Sequence, residues 1–199
     1  MPTQEPSDPW EKLLDPGTLR ANLISASLLL AAFEVFRDAV IEKPKTYFME
    51  GYDESGWVTG EDYRTKVLSK NRRVLTASLL WFQEMGALDA SDMQTYQSIR
   101  RYRNDVAHEI PKFISEPGRE IDCEKLEALI ALLSKIEKWW FVEFEMAVNP
   151  EALPEGADPE DVIAGPIWGL QLMLQIALGA EPEDGYYYNA YKEIKKSRT

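Results

Sequence analysis

Apolar residues recur at helical spacing along most of the chain. From Thr18 to Ile41 they fall at Leu19, Leu23, Ala26, Leu30, Phe33, Phe36 and Val40, the three-to-four-residue rhythm of one helix face. Thr18 can cap the start and Pro44 is a stop signal, so a helix is predicted to close near Glu42. Its run LISASLLLAAF is apolar enough to lie centrally in a bundle. A second helix is predicted over 61–85, with Val67, Val74, Leu75, Leu79, Phe82 and Met85 inward and Gly86 ending it. Ser91 and Gln94 match a capping box that opens a third helix over about 92–109, and Pro111 disfavours helical geometry at Ile110. Asp122 caps a fourth helix, to about Val148, with a spine of Leu126, Leu129, Leu133, Ile136, Trp140 and Phe144. Asp158 and Pro159 open a last helix, to about Leu178, kinked or broken near its start by Gly165 and Pro166.

Between these spans, residues 43–60 carry three glycines and four aromatic residues and read as a loop whose aromatics pack down. No segment alternates apolar and polar residues as a half-buried strand would. The pattern is therefore all-α: an up-and-down bundle of about five helices in a single domain spanning 1–199. Residues 1–15 and 180–199 are expected to be peripheral tails, with Trp10, Leu13 and Leu14 able to dock on the body. Trp57, Trp139, Trp140 and Trp168 are read as core rather than as the wall of a small-molecule site.

Composition narrows the chemistry. A hydrophobic fraction of 45% describes a folded chain, and its longest apolar run is too short for a membrane span. The first ten residues have neither the basic flank nor the apolar stretch of a secretory signal, so a cytoplasmic protein without membrane contact is the default expectation. One cysteine, Cys123, permits no internal disulfide. With a single histidine beside it, it makes no structural zinc site, so no metal or cofactor is expected. The net charge of −12 opposes nucleic acid at long range, so any such contact must be concentrated in a small basic patch. Lys66, Lys70, Arg72 and Arg73 form one basic cluster and are read as a solvated face.

The candidate chemistry lies in IRRYRNDVAHEI, from Ile99 to Ile110, where Arg100, Arg101, Arg103 and Asn104 precede the only histidine, His108. At about 100° per residue, Arg103 falls only about 40° from Ile99 and so sits on the apolar stripe. An arginine there requires an anion or several acceptors. His108 falls about 140° from Arg103, so a straight helix does not aim both at one substrate. Either the helix loosens before Pro111, or it packs against a copy of itself. A purely structural reading also stands, in which Arg103 pairs with an acidic residue of another helix and His108 is a surface residue near a helix end.

RNDVAH resembles the signature of the HEPN superfamily, an arginine followed by four to six residues and a histidine, with a polar residue directly after the arginine. The resemblance is specific at Arg103, Asn104 and His108 and only architectural elsewhere. It implies a HEPN-like bundle and a metal-independent endoribonuclease that acts as a homodimer, in a toxin–antitoxin, phage-defence or RNA-processing setting. His108 would then transfer protons while Arg103 and Asn104 hold the phosphate, with Arg100, Arg101 and Lys112 as RNA-binding residues. RNA and a cognate antitoxin or other protein are the implied partners. One histidine per chain cannot easily serve as both base and acid, whereas a two-fold dimer brings two. The end of the third helix would favour a protonated imidazole through its negative dipole end. The alternative is a non-catalytic all-α module that keeps the motif for dimer packing, or for binding a nucleotide or a partner.

Overall fold

A computed structural model of the chain describes residues 8–54, 56–149, 151, 153, 156 and 158–197. A short helix α1 (Pro9–Leu14) leads into α2 (Pro16–Tyr47), whose 32 residues make it the longest element. At 1.5 Å per residue α2 runs about 48 Å. Ala26, Leu29, Ala32, Phe33, Phe36 and Val40 on it are each no more than 5% exposed, because helices pack on it from several sides. Pro44 does not stop α2. It is buried in the last turns, and its carbonyl accepts from the Phe48 N–H at 3.1 Å. A proline inside a helix removes only its own donor, and tertiary burial there outweighs the loss.

The expected loop contains a hairpin: β1 (Met49–Asp53) pairs antiparallel with β2 (Gly56–Thr59), with Tyr52 opposite Trp57. Gly56 turns the corner at φ +112°, which a residue with a Cβ rarely adopts. Tyr47 and Phe48 pack on Trp81 with ring centroids 5.4 and 5.9 Å away, whereas Tyr52 is 72% exposed.

The single helix expected over 61–85 is divided. It forms α3 (Glu61–Lys66), a 3-10 turn (Leu68–Lys70) and α4 (Val74–Glu84). Asn71 makes the break. Its backbone is extended, and its side-chain oxygen accepts from the Arg73 N–H at 2.9 Å, the local competition with helix geometry that asparagine favours.

Helix α5 (Ala90–Ser115) starts from a reciprocal box between Asp89 and Asp92 rather than Ser91 and Gln94. It also passes through Pro111, with a kink at Glu109 (φ −121°, ψ 22°). Beyond the kink Phe113 is 4% exposed and packs with Ala26, Leu29, Val106 and Ile121 in a small second core. That burial carries the helix past its proline. Helix α6 (Cys123–Trp140) passes through a π-helical turn (Phe141–Glu145) into α7 (Met146–Val148), near the expected span. Its spine is as the spacing predicts: Leu129, Leu133 and Ile136 are fully buried.

The last expected helix is broken near its start: Pro159–Asp161 forms only a 3-10 turn, and Gly165 and Pro166 begin α8 (Gly165–Ala177); the tail holds a further exposed helix, α9 (Tyr186–Ser197). The described residues are thus mostly helical, as expected, but in nine α-helical segments rather than about five. Helices α2, α4, α5 and α6 supply the main core, with Ile167 and Leu170 of α8 joining it. Of the tryptophans, Trp81 and Trp140 are buried and Trp168 is 57% exposed, which corrects its reading as core. The side chain of Trp57 lies outside the described residues. No described helix is long and apolar enough to cross a membrane.

The N-terminal helix docks chiefly through a lysine; of its three apolar candidates only Leu13 is half-buried. Trp10 and Leu14 are 68% and 71% exposed, while Lys12 is fully buried. Its ammonium donates to the carbonyls of Glu116 at 2.8 Å and Arg119 at 3.0 Å. Those carbonyls follow the end of α5, where backbone acceptors lack helical partners.

Candidate functional site

The motif residues all lie on α5, before its kink. Ile99 and Val106 are fully buried and Tyr96 is 2% exposed, which fixes the inward face as the helical wheel predicts. Arg103 lies beside that face and finds its anion within the chain. Its Nη2 donates to Glu34 Oε1 on α2 at 2.7 Å, and its guanidinium carbon stands 5.2 Å from the centre of the Phe33 ring. Its Nη1 makes a longer contact of 3.4 Å to Asn104 Oδ1, and its buried Nε has no hydrogen-bond partner among the described residues. The side chain retains 28% exposure.

His108 is exposed and makes no hydrogen bond or ion pair among the described residues. Only Glu109 departs from helical angles, so residues 103 to 108 keep their regular turn and the angle of about 140° between Arg103 and His108. The kink does not bring the two together within one chain. The negative end of α5 lies at Ser115, about two turns beyond His108 rather than at it.

Arg103 and Asn104 line a hollow of about 370 Å³ between α2, the start of α4 and α5, with Glu34, Arg37, Arg73 and Arg100 around it. Arg73, Thr76 and Arg100 also line an adjoining hollow of about 350 Å³, shared with Asn71 and Arg72. Arg100 and Arg101 border a third, beside Gln97 and Met93. Arg101 donates through Nε to the Gln97 carbonyl at 3.3 Å. Lys112 belongs elsewhere, beyond the kink, where it pairs with Glu109 at 2.8 Å.

The electrostatics of this end follow from the chain break at Asn71. It places Arg72 and Arg73 at the start of α4, whose first turn carries no acidic residue and no side-chain cap. Basic side chains there meet the positive end of the helix dipole, an unfavourable placement for an unliganded helix. Glu34 balances the other end of the groove, accepting from Arg37 at 2.9 Å as well as from Arg103. On the opposite side of α5, Glu109 is held below the usual carboxylate range by hydrogen bonds from Lys112 and then Arg119, with burial opposing the shift.

Of the expected RNA-binding residues, Arg100 thus lines one hollow with Arg103 and Asn104, while Arg101 borders only a neighbouring hollow that shares Arg100; Lys112 and His108 join neither. Residue patterning missed Arg37, Glu34 and Thr76, which reach the groove from helices far away in sequence. Arg72 and Arg73 carried a signal, the Asn-Arg-Arg break, that helical spacing alone overrode. Among the described residues no three histidine, cysteine, aspartate or glutamate side chains converge as metal ligands. Comparison with known protein families, curated proteins and solved structures finds no match.

Proposed function

We propose that the chain is a HEPN-like, metal-independent endoribonuclease that works as a homodimer. The observation that carries this reading is the pairing of an arginine-lined hollow holding Arg103 and Asn104 with a solvent-facing, unpaired His108 on the same helix. Guanidinium and amide donors suit a phosphate, and an exposed imidazole is free to exchange protons with a substrate. Because Arg103 and His108 diverge around one helix, a second copy would set its own His108 against the first copy's phosphate-binding face. In the reaction, the substrate's 2′-oxygen loses its proton to one imidazole and attacks phosphorus. The 5′-oxygen leaves with a proton from the other imidazole, giving a cyclic phosphate and a free 5′-hydroxyl. Arg103 would offset the charge gathering on the phosphoryl oxygens in between.

The test is cleavage of RNA by purified protein in excess EDTA. Cleavage by wild type that is lost in His108→Ala supports the reading; absence of cleavage, or equal cleavage by the variant, removes it.

A second reading, a non-catalytic binding module, is favoured by the Arg103–Glu34 contact. An arginine already satisfied within its own chain fits a part that joins α5 to α2. This reading expects Arg103→Ala to lower the melting temperature and an RNA assay to show binding without cleavage.

A further inference from the structure

We propose that the hollow formed by Asn71, Arg72, Arg73, Thr76 and Arg100 binds a chain of phosphate groups, as carried by a nucleotide tail or an RNA backbone. The inference extends the ribonuclease reading but does not rest on it, since it requires neither His108 nor bond cleavage.

Four observations converge on that place. Arg72, Arg73 and Arg100, like Arg20 and Arg101, have no carboxylate within ion-pair distance among the described residues, whereas Arg37, Arg64, Arg103 and Arg119 each have at least one. Three arginines therefore line one hollow of about 350 Å³ with no carboxylate among its lining residues, in a chain whose net charge is −12. Like charges so placed repel one another, and an anion would turn that repulsion into attraction. The hollow also opens on the uncapped start of α4, where backbone N–H groups and the helix dipole favour negative charge. Thr76 adds a hydroxyl among the lining residues.

The position of Glu34 sets the direction of the site. Its carboxylate sits in the neighbouring hollow and holds Arg37 and Arg103. An anion is repelled at that end and drawn to the end near Arg72. Arg73, Thr76 and Arg100 line both hollows, so a ligand longer than one phosphate can continue from the first towards Arg103. Arginine suits this role better than lysine because its planar fork meets two phosphate oxygens at once.

Two probes test the proposal in EDTA: inorganic triphosphate and a fluorescein-labelled oligouridine with 2′-O-methyl groups, which cannot be cleaved through its 2′-oxygen. Failure of catalysis therefore leaves this measurement intact. Arg73→Gln/Arg100→Gln is expected to weaken binding about tenfold or more. Its logarithmic salt slope should flatten by roughly 0.7 for each phosphate that is no longer neutralised. Arg72→Glu/Arg73→Glu changes only exposed residues without ion pairs, and is expected to abolish binding while the protein stays folded. A control away from the groove that loses the same two charges as Arg73→Gln/Arg100→Gln, namely Lys45→Gln/Arg64→Gln, is expected to bind as wild type does. Binding of triphosphate alone identifies a nucleotide tail as the source of the phosphates; binding of the oligouridine, displaced by triphosphate, identifies an RNA backbone. If neither probe binds, or if binding is indifferent to both groove variants, the proposal is overturned.

Discussion

Arg103 on α5 and Glu34 on α2 lie 2.7 Å apart, nitrogen to oxygen, and join the two helices at the mouth of the arginine groove. The same carboxylate holds Arg37 at 2.9 Å, so one acidic side chain sets the position of two of the groove's arginines.

That relationship separates a structural from a functional role for Arg103. Glu34→Gln is expected to cost about 0.5 kcal/mol, as half-exposed ion pairs do, lowering the melting temperature by about 1–2 °C. Arg103→Ala is expected to cost about 1–1.5 kcal/mol because the stacking on Phe33 disappears too. With Glu34 neutral, two guanidinium groups are released towards the groove, and triphosphate is expected to bind several-fold more tightly. Thermal melts and a binding titration on the same two variants check this. Weaker anion binding by Glu34→Gln would contradict the charge argument.

The buried Lys12 offers a test of how the N-terminus is attached. Lys12→Met keeps the aliphatic stem but leaves the carbonyls of Glu116 and Arg119 without their donor. The expected loss is about 2 kcal/mol, within the range for unsatisfied buried polar groups. Limited proteolysis should then cut sooner near residues 116–121, and unchanged cleavage there would show that α1 does not hold that turn.

Acid is expected to loosen the start of α5. The Asp92 N–H first, and then Lys135 of α6, hold Asp89 below the usual aspartate range. The folded state therefore binds that proton more weakly than the unfolded chain. The contribution is complete above the unfolded value, near about 4, and is lost as pH falls through the lower folded value. Melting temperatures measured downwards from about pH 6 should fall less steeply below about pH 4 for Asp89→Asn than for wild type. Parallel curves would count against the assignment.

His108→Ala is expected to leave stability within about 0.5 kcal/mol of wild type, since the side chain is exposed and makes no bond. Under the ribonuclease reading the same variant loses cleavage. A mixed dimer of wild-type and His108→Ala chains keeps a single imidazole where the proposed reaction uses two, so it should cleave far more slowly than the wild-type dimer. Sedimentation analysis with an activity assay on the mixture checks both assembly and the need for two imidazoles.

The helical core was readable in the sequence where one face alone is buried. On α6 the spine of Leu129, Leu133 and Ile136 emerged intact. On α2 the spacing chose Leu23 and Leu30, yet Leu23 is 41% exposed and Leu28 and Leu29 are buried. A helix covered on several sides is apolar nearly all round, and periodicity then loses its power to choose a face. The prolines misled in the same direction twice. Pro44 and Pro111 are stop signals for an isolated helix, but burial of Pro44 itself and of Phe113 carries α2 and α5 past them.

The site divided along similar lines. The angle between Arg103 and His108 follows from backbone geometry alone and was legible. The structural alternative, an acidic partner for Arg103, also took shape, but only the fold shows that partner to be Glu34. The groove was invisible because its arginines come from three distant stretches. Its clearest local sign, the extended Asn71, is a competition between side chain and backbone that spacing rules do not weigh.

The solitary imidazole has one more consequence, for spectroscopy. A chain with a single, solvent-facing histidine gives one pair of imidazole carbon-bound proton resonances. Dimer formation that covers His108, or a ligand arriving beside it, will move that pair without isotopic labelling. A phosphate chain confined to the Arg72 end of the groove will leave the signal where it was. One spectrum, recorded before and after each addition, thus reports which face of α5 has been occupied.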